Sequence, residues 1–365
     1  MKLNKIVFCT LRDNKGATGG PGGVLFLQKE VLGTSLGGVN CEYWFNAFEG
    51  GGMLKSVLNM LTFLVKSCAV RHAHFFTHDI TSGWILAILG KQYSLVHHSQ
   101  GPALEERINL GKKTNKWSSL FLCYRERIAF KGAKTLHFPS EGAAEMYFQS
   151  KYASCQRNEV NLQPPLYNII LPSKLNAPVN FEIKKDPTAL TFFSLGTLTI
   201  AKGQDKSVEF LNKFLNYYTK DVRYIVVGKG PLRDELLRKL EVIKSQYSNF
   251  SYYYFESLPH DLVMYLHSIS DVYLMLHRIS IFDFATLEAM SQASAVVLSK
   301  VGGNPEFNYE DNIIFSDDAL ENMDSFSKKD FDVLKKKNRE VFDRYFSQKA
   351  YRVQYEKFIA NKLLK

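Results

Sequence analysis

The sequence predicts two successive α/β domains, each built on a mostly parallel sheet, with a linker between them. A length of 365 residues matches about two domains of roughly 150 residues each. Short apolar strands alternate with helical patterns along the chain, which is typical of βαβ units and doubly wound sheets. Prolines punctuate a stretch without sustained periodicity at residues 163–186, and this stretch is the expected linker.

In the first domain, a strand at Lys5–Thr10 leads through a glycine-rich loop into a helix at Val24–Leu32. We interpret the apolar segment Met53–Val70 as a buried helix and not a membrane span, because Lys55 and Lys66 interrupt it. The other expected strands are Cys41–Phe45, Ala73–Thr77, Ser94–His98 and Thr135–Pro139, and the other expected helices are Met53–Cys68, Ser82–Leu89, Trp117–Phe130 and Glu141–Gln149.

The second domain repeats this alternation. One lysine-rich amphipathic helix is expected from about Lys329 to the end of the chain. We therefore predict domains at residues 1–175 and 176–340, and a C-terminal helical segment at 341–365 that packs back toward the first domain. The expected strands are Leu190–Leu195, Tyr224–Val227, Ser251–Phe255, Val272–Leu276 and Ala295–Leu298, and the expected helices are Lys206–Tyr217, Asp234–Tyr247, His260–Ser268 and Phe284–Gln292.

Composition excludes several classes of protein. A hydrophobic content of 45% is too high for a disordered chain. The five cysteines are widely spaced without a C-x-x-C pair, which argues against a disulfide framework or structural zinc and fits a reducing compartment. Residues 1–175 hold 20 Lys and Arg against 11 Asp and Glu, whereas residues 176–365 hold 26 against 25. A basic and a neutral domain are expected to have different partners.

The glycine-rich loop Thr18–Gly23 lies between the first strand and the first helix, where ligands enter open α/β sheets. Glycine allows a phosphate to approach the backbone, and the following helix N-terminus favours an anion. A flexible turn is the alternative. The loop lacks the G-x-G-x-x-G pattern, and this disfavours a nicotinamide cofactor.

Two side chains of the second domain suggest a nucleotide site. Lys202 follows the strand that ends at Ser194–Thr197; a lysine at such a junction suits a pyrophosphate, and a solvated loop lysine is the alternative. Glu288 lies within an apolar helical pattern, where an unpaired carboxylate is costly. It is therefore expected to accept hydrogen bonds, either from a ribose diol or from a backbone cap.

Four histidines lie at strand ends of the first domain: His74, His78, His97 and His98. Active sites of this architecture lie at the carboxyl ends of strands. The four do not complete a zinc site, because nothing nearby supplies the remaining ligands at suitable spacing. We expect one of them to contact substrate and the others to be structural.

Eight motifs follow one another along the chain: TGGPGGV (Thr18–Val24), HHSQGP (His97–Pro102), PSEGAAEMY (Pro139–Tyr147), LYNIILP (Leu166–Pro172), SLGTLTIAKGQDKSVEF (Ser194–Phe210), VVGKGPLRDELL (Val226–Leu237), FDFATLEAM (Phe282–Met290) and VGGNPE (Val301–Glu306). Their order and spacing resemble those of the retaining nucleotide-sugar glycosyltransferases of family 4. The resemblance covers nearly the whole chain. It implies the GT-B fold, in which two Rossmann-like domains face each other across a cleft.

The resemblance implies a role for individual residues toward a nucleotide-sugar donor. Glu288 would hold the ribose hydroxyls and Lys202 the diphosphate, which backbone N–H groups at residues 281–283 would also face. His98, in preference to His97, would touch the donor sugar. No cofactor or metal ion is implied. The implied donor-binding residues are Gly22, Gly23, Gly196, Thr197, Lys202, Gly230, Ile281, Phe282 and Glu288, and the implied catalytic residues are His98, Asp283 and Ser280.

The chain departs from the family pattern at two positions. Ser280 stands where the family usually has a glutamate, eight residues before the position of Glu288. This removes a carboxylate expected near the donor sugar, which Asp283 could partly replace. Thr197 stands where the family usually has a basic residue, which removes one of two cations expected on the pyrophosphate.

The segment Arg107–Lys134 contains eight Lys and Arg but only one acidic residue, Glu126, with aromatic and aliphatic residues interleaved. Such a segment suits an anionic membrane surface. Nucleic acid is disfavoured because no recognition motif accompanies the charge. The alternative is a solvated helix whose apolar side packs on its own domain.

Together these features predict a cytoplasmic glycosyltransferase that is peripheral on the inner face of the cell membrane. It would move a sugar, with retention of configuration, from a UDP- or GDP-sugar to a lipid-linked or polysaccharide glycan of the capsule or O-antigen type. The rival hypothesis is a degenerate GT-B protein that binds a glycan or a partner enzyme, which Ser280 and Thr197 keep open. A sugar-nucleotide epimerase is a third, weaker alternative.

Overall fold

The computed structural model describes residues 3–14, 16, 20–109, 111–171, 181–317 and 328–363. The chain divides into two compact units, one formed by Met1–Leu171 with Gln348–Lys365 and the other by Pro172–Ser347. Each unit contains a six-stranded sheet, so the predicted two-unit α/β class is confirmed. The middle of the expected linker, residues 172–180, lies outside the described residues.

The first unit has the strand order β2-β3-β1-β4-β5-β6. Neighbouring strands pair in parallel except β2 with β3. Its strands are β1 (Lys5–Cys9), β2 (Ser35–Leu36), β3 (Val39–Trp44), β4 (Ala73–Thr77), β5 (Tyr93–Val96) and β6 (Thr135–His137), and its first helices are α1 (Pro21–Leu32), α2 (Met53–Ala69), α3 (Ile80–Ile88), α4 (Ala103–Asn109), α5 (Lys116–Gly132) and α6 (Glu141–Gln149).

The second unit has the order β12-β11-β10-β7-β8-β9, with parallel pairing throughout. Its central strands are nearly continuous runs of buried apolar residues, as expected for a parallel sheet covered on both faces. Its strands are β7 (Leu190–Leu195), β8 (Val222–Val227), β9 (Phe250–Phe255), β10 (Val272–Met275), β11 (Ala295–Leu298) and β12 (Ile313–Phe315), and its helices are α7 (Gln204–Phe214), α8 (Arg233–Gln246), α9 (His260–Ile269), α10 (Phe284–Ser291) and α11 (Lys328–Val341).

The C-terminal segment is not the single helix expected from Lys329 onward. Helix α11 ends at Val341, a π-helical turn follows, and α12 (Gln348–Lys362) belongs to the first unit. There the buried amide of Gln28 on α1 donates hydrogen bonds to the hydroxyls of Tyr351 and Tyr355, at 2.8 and 2.6 Å. Periodicity alone did not reveal this break, because both helices have apolar residues at helical spacing.

In each sheet, the chain first adds strands on one side of the sheet's first strand and then adds the later strands on its other side. In the first unit the two sides meet between β1 and β4, and in the second between β7 and β10. Crevices at the carboxyl ends of such strand pairs are the usual ligand sites of open α/β sheets. The fold therefore predicts a ligand site at one edge of the sheet in each unit.

Helix α2 is not buried, contrary to the prediction for Met53–Val70. Met53 and Leu54 are 86% and 74% exposed, and the buried positions are Asn59, Phe63 and Ser67. Asn59 is held inside because its carboxamide exchanges two 2.9 Å hydrogen bonds with the backbone of Phe48. An apolar composition did not show which side of this helix has a packing partner.

Candidate functional site

The candidate site of the second unit lies where β7 and β10 end. Strand β7 runs into Gly196 and Thr197, whose carbonyls accept hydrogen bonds from the side-chain amide of Gln204 at 3.2 and 3.1 Å. Gly230 packs against this turn, since a Cβ there would lie 2.3 Å from the carbonyl oxygen of Leu198. These glycines let three backbone segments converge at the sheet edge.

The loop that carries Lys202 is fixed against the segment after β10. Gly203 has φ +72°, and a Cβ on it would lie 1.9 Å from the carbonyl oxygen of Leu276. The guanidinium of Arg278 donates two hydrogen bonds, of 2.7 and 2.6 Å, to the carboxylate of Asp205. The backbone N–H of Arg278 donates to the carbonyl of Ala201 at 2.9 Å. These contacts therefore fix the backbone from which the Lys202 side chain extends.

Substituting Gly203→Ala is expected to destabilise the second unit. The positive φ alone costs a non-glycine residue roughly 1–2 kcal/mol, and the collision with Leu276 adds to it. Gly90→Ala is the matched control, because Gly90 also has a positive φ but has nothing within 4 Å of the position that a Cβ would take. Urea unfolding should show a clearly larger loss for Gly203→Ala, and equal losses would contradict the close approach.

Lys202 forms an ion pair with Asp283 at 2.6 Å between Nζ and Oδ1. Asp283 also caps α10 by accepting from the backbone N–H of Thr286, and accepts from the hydroxyl of Tyr273, both at 3.3 Å. Burial alone would raise the pKa of Asp283, but Lys202 and then His277, 3.7 Å away, outweigh it and hold that pKa well below its usual range. Asp283 is thus a permanent anion.

This arrangement changes the role expected of Asp283. Its carboxylate, 10% exposed, is engaged with Lys202 and the first turn of α10, so it acts as the acceptor that positions the lysine. An ammonium has three hydrogens to donate. Lys202, 24% exposed, therefore keeps donors for an incoming anion beside the α10 N-terminus, where backbone N–H groups favour negative charge.

Ser280 places an unused hydroxyl in this site. Its side chain is 4% exposed, and its Oγ has no hydrogen-bond partner among the described residues. Its backbone carbonyl accepts from Gly303 at 2.9 Å, which ties the V-G-G turn to the loop before α10. A buried hydroxyl without a partner is uncommon in native structures, since burial without a hydrogen bond is costly.

Ile281 and Phe282 complete the approach to α10. The ring of Phe282 is buried and stacks on Phe307 with centroids 4.2 Å apart. Its side chain is therefore committed to the core, so the ring does not make the donor contact that the sequence resemblance implies.

Glu288 lies one helical turn further along α10, between two histidines. Its Oε1 is 2.8 Å from Nε2 of the half-exposed His260, and its Oε2 is 3.8 Å from the buried His267. The hydrogen bond to Glu288 raises the pKa of His260, whereas burial lowers the pKa of His267 to about 3. The side chain of Glu288 is 13% exposed, and within the described part of the chain neither a backbone cap nor a fully buried ion pair holds its carboxylate.

The His260–Glu288 pair gives stability a defined pH dependence. Because the folded pKa of His260 is raised, its contribution is complete below the unfolded value of about 6.5 and is lost as pH rises through the folded value. His260→Gln should therefore lower the free energy of unfolding at pH 5.5 and have less effect at pH 9, as measured by urea unfolding. In a Glu288→Gln background this pH dependence should disappear; its persistence would contradict the pairing.

The first unit has a second polar edge, at the ends of β4 and β5. His78 Nδ1 and His98 Nε2 lie 2.9 Å apart with stacked rings, and His97 contacts the carbonyl of Gly101 at 3.2 Å. His74 instead pairs with Ser94 at 2.9 Å inside the sheet. Burial lowers the pKa of His78 to about 4. These side chains are therefore neutral near pH 7 and can exchange hydrogen bonds with hydroxyl groups.

The glycine-rich loop of the first unit is partly described. Thr18 and Gly19 lie outside the described residues. Gly22 lies in the first turn of α1, and a Cβ there would come within 2.2 Å of the carbonyl oxygen of Asp13. Gly22 is thus required by close backbone packing, and the N–H groups of Gly22 and Gly23 belong to the orphan donors at the start of a helix.

Sequence reasoning missed four residues that organise the second-unit site: Gln204, Tyr273, His277 and Arg278. Arg278 acts on Asp205 across 73 positions of sequence. Gln204, Tyr273 and His277 contact residues no more than ten positions away, and their roles became clear only from these three-dimensional contacts. Within the described ranges, no three His, Cys, Asp or Glu side chains cluster as a metal site would require.

Comparison with known proteins supports the interpretation of both units. The family of glycosyl transferases group 1 matches residues 178–351. Sucrose-phosphate synthase from Thermosynechococcus elongatus aligns at 15% identity with a TM-score of 0.67, covering 98% of each chain. An E. coli trehalose-6-phosphate protein bound with UDP-2-fluoro glucose aligns at 12% identity with a TM-score of 0.65, covering 99% of this chain and 100% of the other.

A more distant structure is TarM of S. aureus in complex with UDP, at 12% identity and a TM-score of 0.53, covering 81% of this chain and 58% of the other. No curated protein matches the sequence. The structural likenesses span both α/β units, and the family match covers the unit that contains Lys202, Asp283 and Glu288. The chain therefore has the GT-B fold, and its second unit matches the family of glycosyl transferases group 1.

Proposed function

We propose that this protein is a retaining glycosyltransferase that uses a nucleoside diphosphate sugar as donor. The observation that supports this most is the Lys202–Asp283 pair at the α10 N-terminus, with Glu288 one helical turn away. A cation and helix N–H groups suit a diphosphate, and a partly exposed carboxylate suits a ribose diol. Both groups lie on the edge of the sheet where ligands of this architecture bind.

The proposed chemistry needs positioning and electrostatics more than a strong base. The bond between the anomeric carbon and the diphosphate breaks, and the acceptor hydroxyl forms the new bond on the same face while its proton passes to the departing phosphate. Lys202 and the first turn of α10 would stabilise the charge that develops on the leaving group. Ser280 Oγ, buried without a partner, is available to a donor-sugar hydroxyl in place of the missing glutamate.

The donor base is proposed to be uracil or guanine. Support for uracil comes from the structural neighbours, two of which are described with UDP or a UDP-sugar bound. For the acceptor we propose a lipid-linked or polysaccharide glycan of the surface-polysaccharide type. Its support is the apolar and basic face of the first unit.

That face is one layer of helices. The connections through α2, α3 and α5 all cross the sheet in the same direction, so right-handed crossovers place the three helices on one face, and α3 packs against both others. Large apolar side chains on the outer side of this layer are exposed to solvent; they include Met53, Leu54, Val57, Leu61 and Val65 on α2 and Trp117, Leu120, Phe121 and Tyr124 on α5. So large an apolar surface is typical of an interaction site.

Not all the cations of Arg107–Lys134 are available to a membrane surface. Arg127 and Lys131 are paired with Glu159, and Arg107, Lys112 and Arg125 line a cleft at the sheet edge. The exposed Lys113 and Lys116 remain beside Trp117. We therefore propose that the layer binds an anionic membrane mainly by inserting apolar side chains, with these lysines assisting. Within the described residues, no helix is long and apolar enough to cross a bilayer.

The membrane proposal predicts a loss of vesicle binding when α2 is made polar. Leu54→Glu with Leu61→Glu should reduce cosedimentation with phosphatidylglycerol-containing vesicles by at least about tenfold, since each exposed leucine that inserts contributes up to roughly 1.5–3 kcal/mol. Val333→Glu is the control, because Val333 is 56% exposed on α11 of the second unit. Equal binding of all three proteins would contradict a membrane role for α2.

The transferase proposal is tested by following donor turnover directly. Purified protein is incubated with UDP- and GDP-sugars and extracted lipid-linked glycans, and the release of nucleoside diphosphate and the anomeric configuration of the product are measured. Transfer with the donor's configuration supports the proposal. A protein that binds nucleotide but neither hydrolyses nor transfers would support the rival binding subunit, and an epimerised free nucleotide sugar would support the third alternative.

A further inference from the structure

The first unit contains a cationic cleft whose four basic residues lie outside the family motifs. It lies at the carboxyl edge of β1, β4 and β5, has a volume of about 380 Å³, and is lined by Arg12, Arg107, Lys112 and Arg125 beside His78 and His98. Among the described residues, none of the four cations belongs to an ion pair. The Nε atoms of Arg107 and Arg125 are buried and have no hydrogen-bond partner there.

The acidic groups of the cleft do not neutralise it. Asp79 is fully engaged: it caps α3 through Ser82 and accepts hydrogen bonds from the hydroxyl of Thr10 and the backbone N–H of Leu11, at 3.0 and 2.7 Å. Glu106 also lines the cleft. Its carboxylate makes no hydrogen bond among the described residues, so it is the cleft's one acid whose charge is free to repel an anion. Four cations against two carboxylates leave a net positive charge.

Two further features of the cleft suit an anionic ligand that also carries hydroxyl groups. Pro21 lines it, and Pro21 is the first residue of α1, which has no acidic residue in its first turn; such a helix start favours negative charge. His78 Nε2 is buried without a partner, and the pKa of His78 is lowered by burial, so its ring is neutral near pH 7. Guanidinium groups bind phosphate oxygens with two parallel hydrogen bonds.

We infer that this cleft binds a phosphate group of the acceptor, so that the acceptor is a phosphate ester and not a neutral glycan. The inference rests on the proposed function only in naming the ligand as the acceptor; the binding of a phosphate by the cleft stands without it. Arg107 and Arg125 form the centre of the site, and Lys112 and Arg12 its exposed rim. The phosphate belongs either to a lipid headgroup or pyrophosphate carrier, or to a soluble sugar phosphate.

The test is calorimetric titration of inorganic pyrophosphate into Lys202→Gln protein, from which the donor-site cation has been removed. Adding Arg107→Gln and Arg125→Gln should weaken binding by at least about tenfold, because a hydrogen bond to a charged group contributes roughly 1.5–3 kcal/mol, equivalent to tenfold or more. Adding Arg127→Gln and Lys131→Gln instead removes the same amount of charge from α5, the helix that carries Arg125. Glu159 already pairs with both of these control residues, so their loss should change little.

Two single substitutions keep the test independent of folding. Lys112→Gln alters an exposed side chain and should weaken pyrophosphate binding severalfold, whereas Glu106→Gln should strengthen it. Indistinguishable affinities for the cleft variants and the Arg127 control would overturn the inference. The Arg107 and Arg125 substitutions in a Lys202 wild-type background should leave nucleoside diphosphate binding intact, so a failure of donor binding is separable from a failure of the cleft.

Vesicles distinguish the two sources of the phosphate. Wild-type protein is sedimented with vesicles of phosphatidylcholine and phosphatidylglycerol in a 7:3 ratio, with and without pyrophosphate, in parallel with the Arg107 and Arg125 double variant. Displacement by pyrophosphate in the wild type alone supports a lipid-borne phosphate. Equal vesicle binding of both proteins, together with the calorimetric loss, supports a soluble phosphate ester.

Discussion

Replacing Lys202 by methionine is expected to abolish measurable sugar transfer and to weaken nucleoside diphosphate binding by about 10- to 150-fold. The magnitude follows from one charge-assisted contact to the diphosphate, which contributes roughly 1.5–3 kcal/mol. Lys202 is the cation that the structure places against the α10 N-terminus, and Thr197 supplies no second one. Binding is measured by titration calorimetry and turnover by release of nucleoside diphosphate.

The same substitution is expected to destabilise the protein, because Asp283 would remain charged and 10% exposed without its partner. Removing one member of a buried pair typically costs about 3–5 kcal/mol, and the partial exposure of Lys202 places the expected value near the lower end. Lys202→Met with Asp283→Asn removes both charges and should recover most of the stability without recovering nucleotide binding. If the double variant regained binding, Lys202 would be a structural residue and the donor site would lie elsewhere.

Glu288→Gln is expected to remove the preference for a ribose over a 2′-deoxyribose nucleotide. A carboxylate can accept hydrogen bonds from both hydroxyls of a ribose, whereas an amide has only one acceptor oxygen. Wild-type protein should bind the ribonucleoside diphosphate about tenfold or more tightly than its 2′-deoxy form, and the variant should bind the two alike. Calorimetric titration with both nucleotides measures the ratio.

The histidine neighbour supplies the control for this prediction. His260→Gln removes the 2.8 Å contact to Glu288 but leaves the carboxylate in place, so it should keep the discrimination between the two nucleotides. Unchanged nucleotide binding in Glu288→Gln would show that α10 does not face the ribose.

The strands of both sheets were predictable because parallel strands covered on two faces are short, nearly continuous apolar runs. β7 and β11 have the predicted bounds, Leu190–Leu195 and Ala295–Leu298. The two-residue β2 and the three-residue β12 were missed, since strands so short carry no periodicity, and α4 was missed because its seven residues include no buried side chain. Burial was harder to predict than secondary structure. The apolar composition that is typical of a core helix also occurs on α2, whose outer side has no packing partner among the described residues.

Some residues of the candidate site could likewise be proposed from local sequence, whereas others could not. Lys202, Asp283 and Glu288 could be proposed from the sequence because each stands in a local motif. The structure brings Lys202 and Asp283 into contact across 81 positions of sequence. Because of that contact, we interpret Asp283 as the residue that positions the lysine, and not as a replacement for the glutamate that the family usually has at position 280. His260 and His277 act on these groups from other elements, so only the fold reveals them. The first-unit cleft is likewise invisible in sequence, where Arg12 and Arg125 are far apart.

The central claim is that the second unit binds a nucleoside diphosphate through Lys202 and Glu288. A thermal-shift screen against UDP, GDP, ADP, TDP, CMP and their common sugar conjugates tests it most directly, run on wild type and on Lys202→Met with Asp283→Asn. A ligand at 100 times its dissociation constant adds about 2.7 kcal/mol of stability. We predict a shift with one nucleotide family in the wild type and, because binding is weakened about 10- to 150-fold, a shift of about half that size or less in the variant. No shift with any nucleotide, or equal shifts in both proteins, would contradict the account.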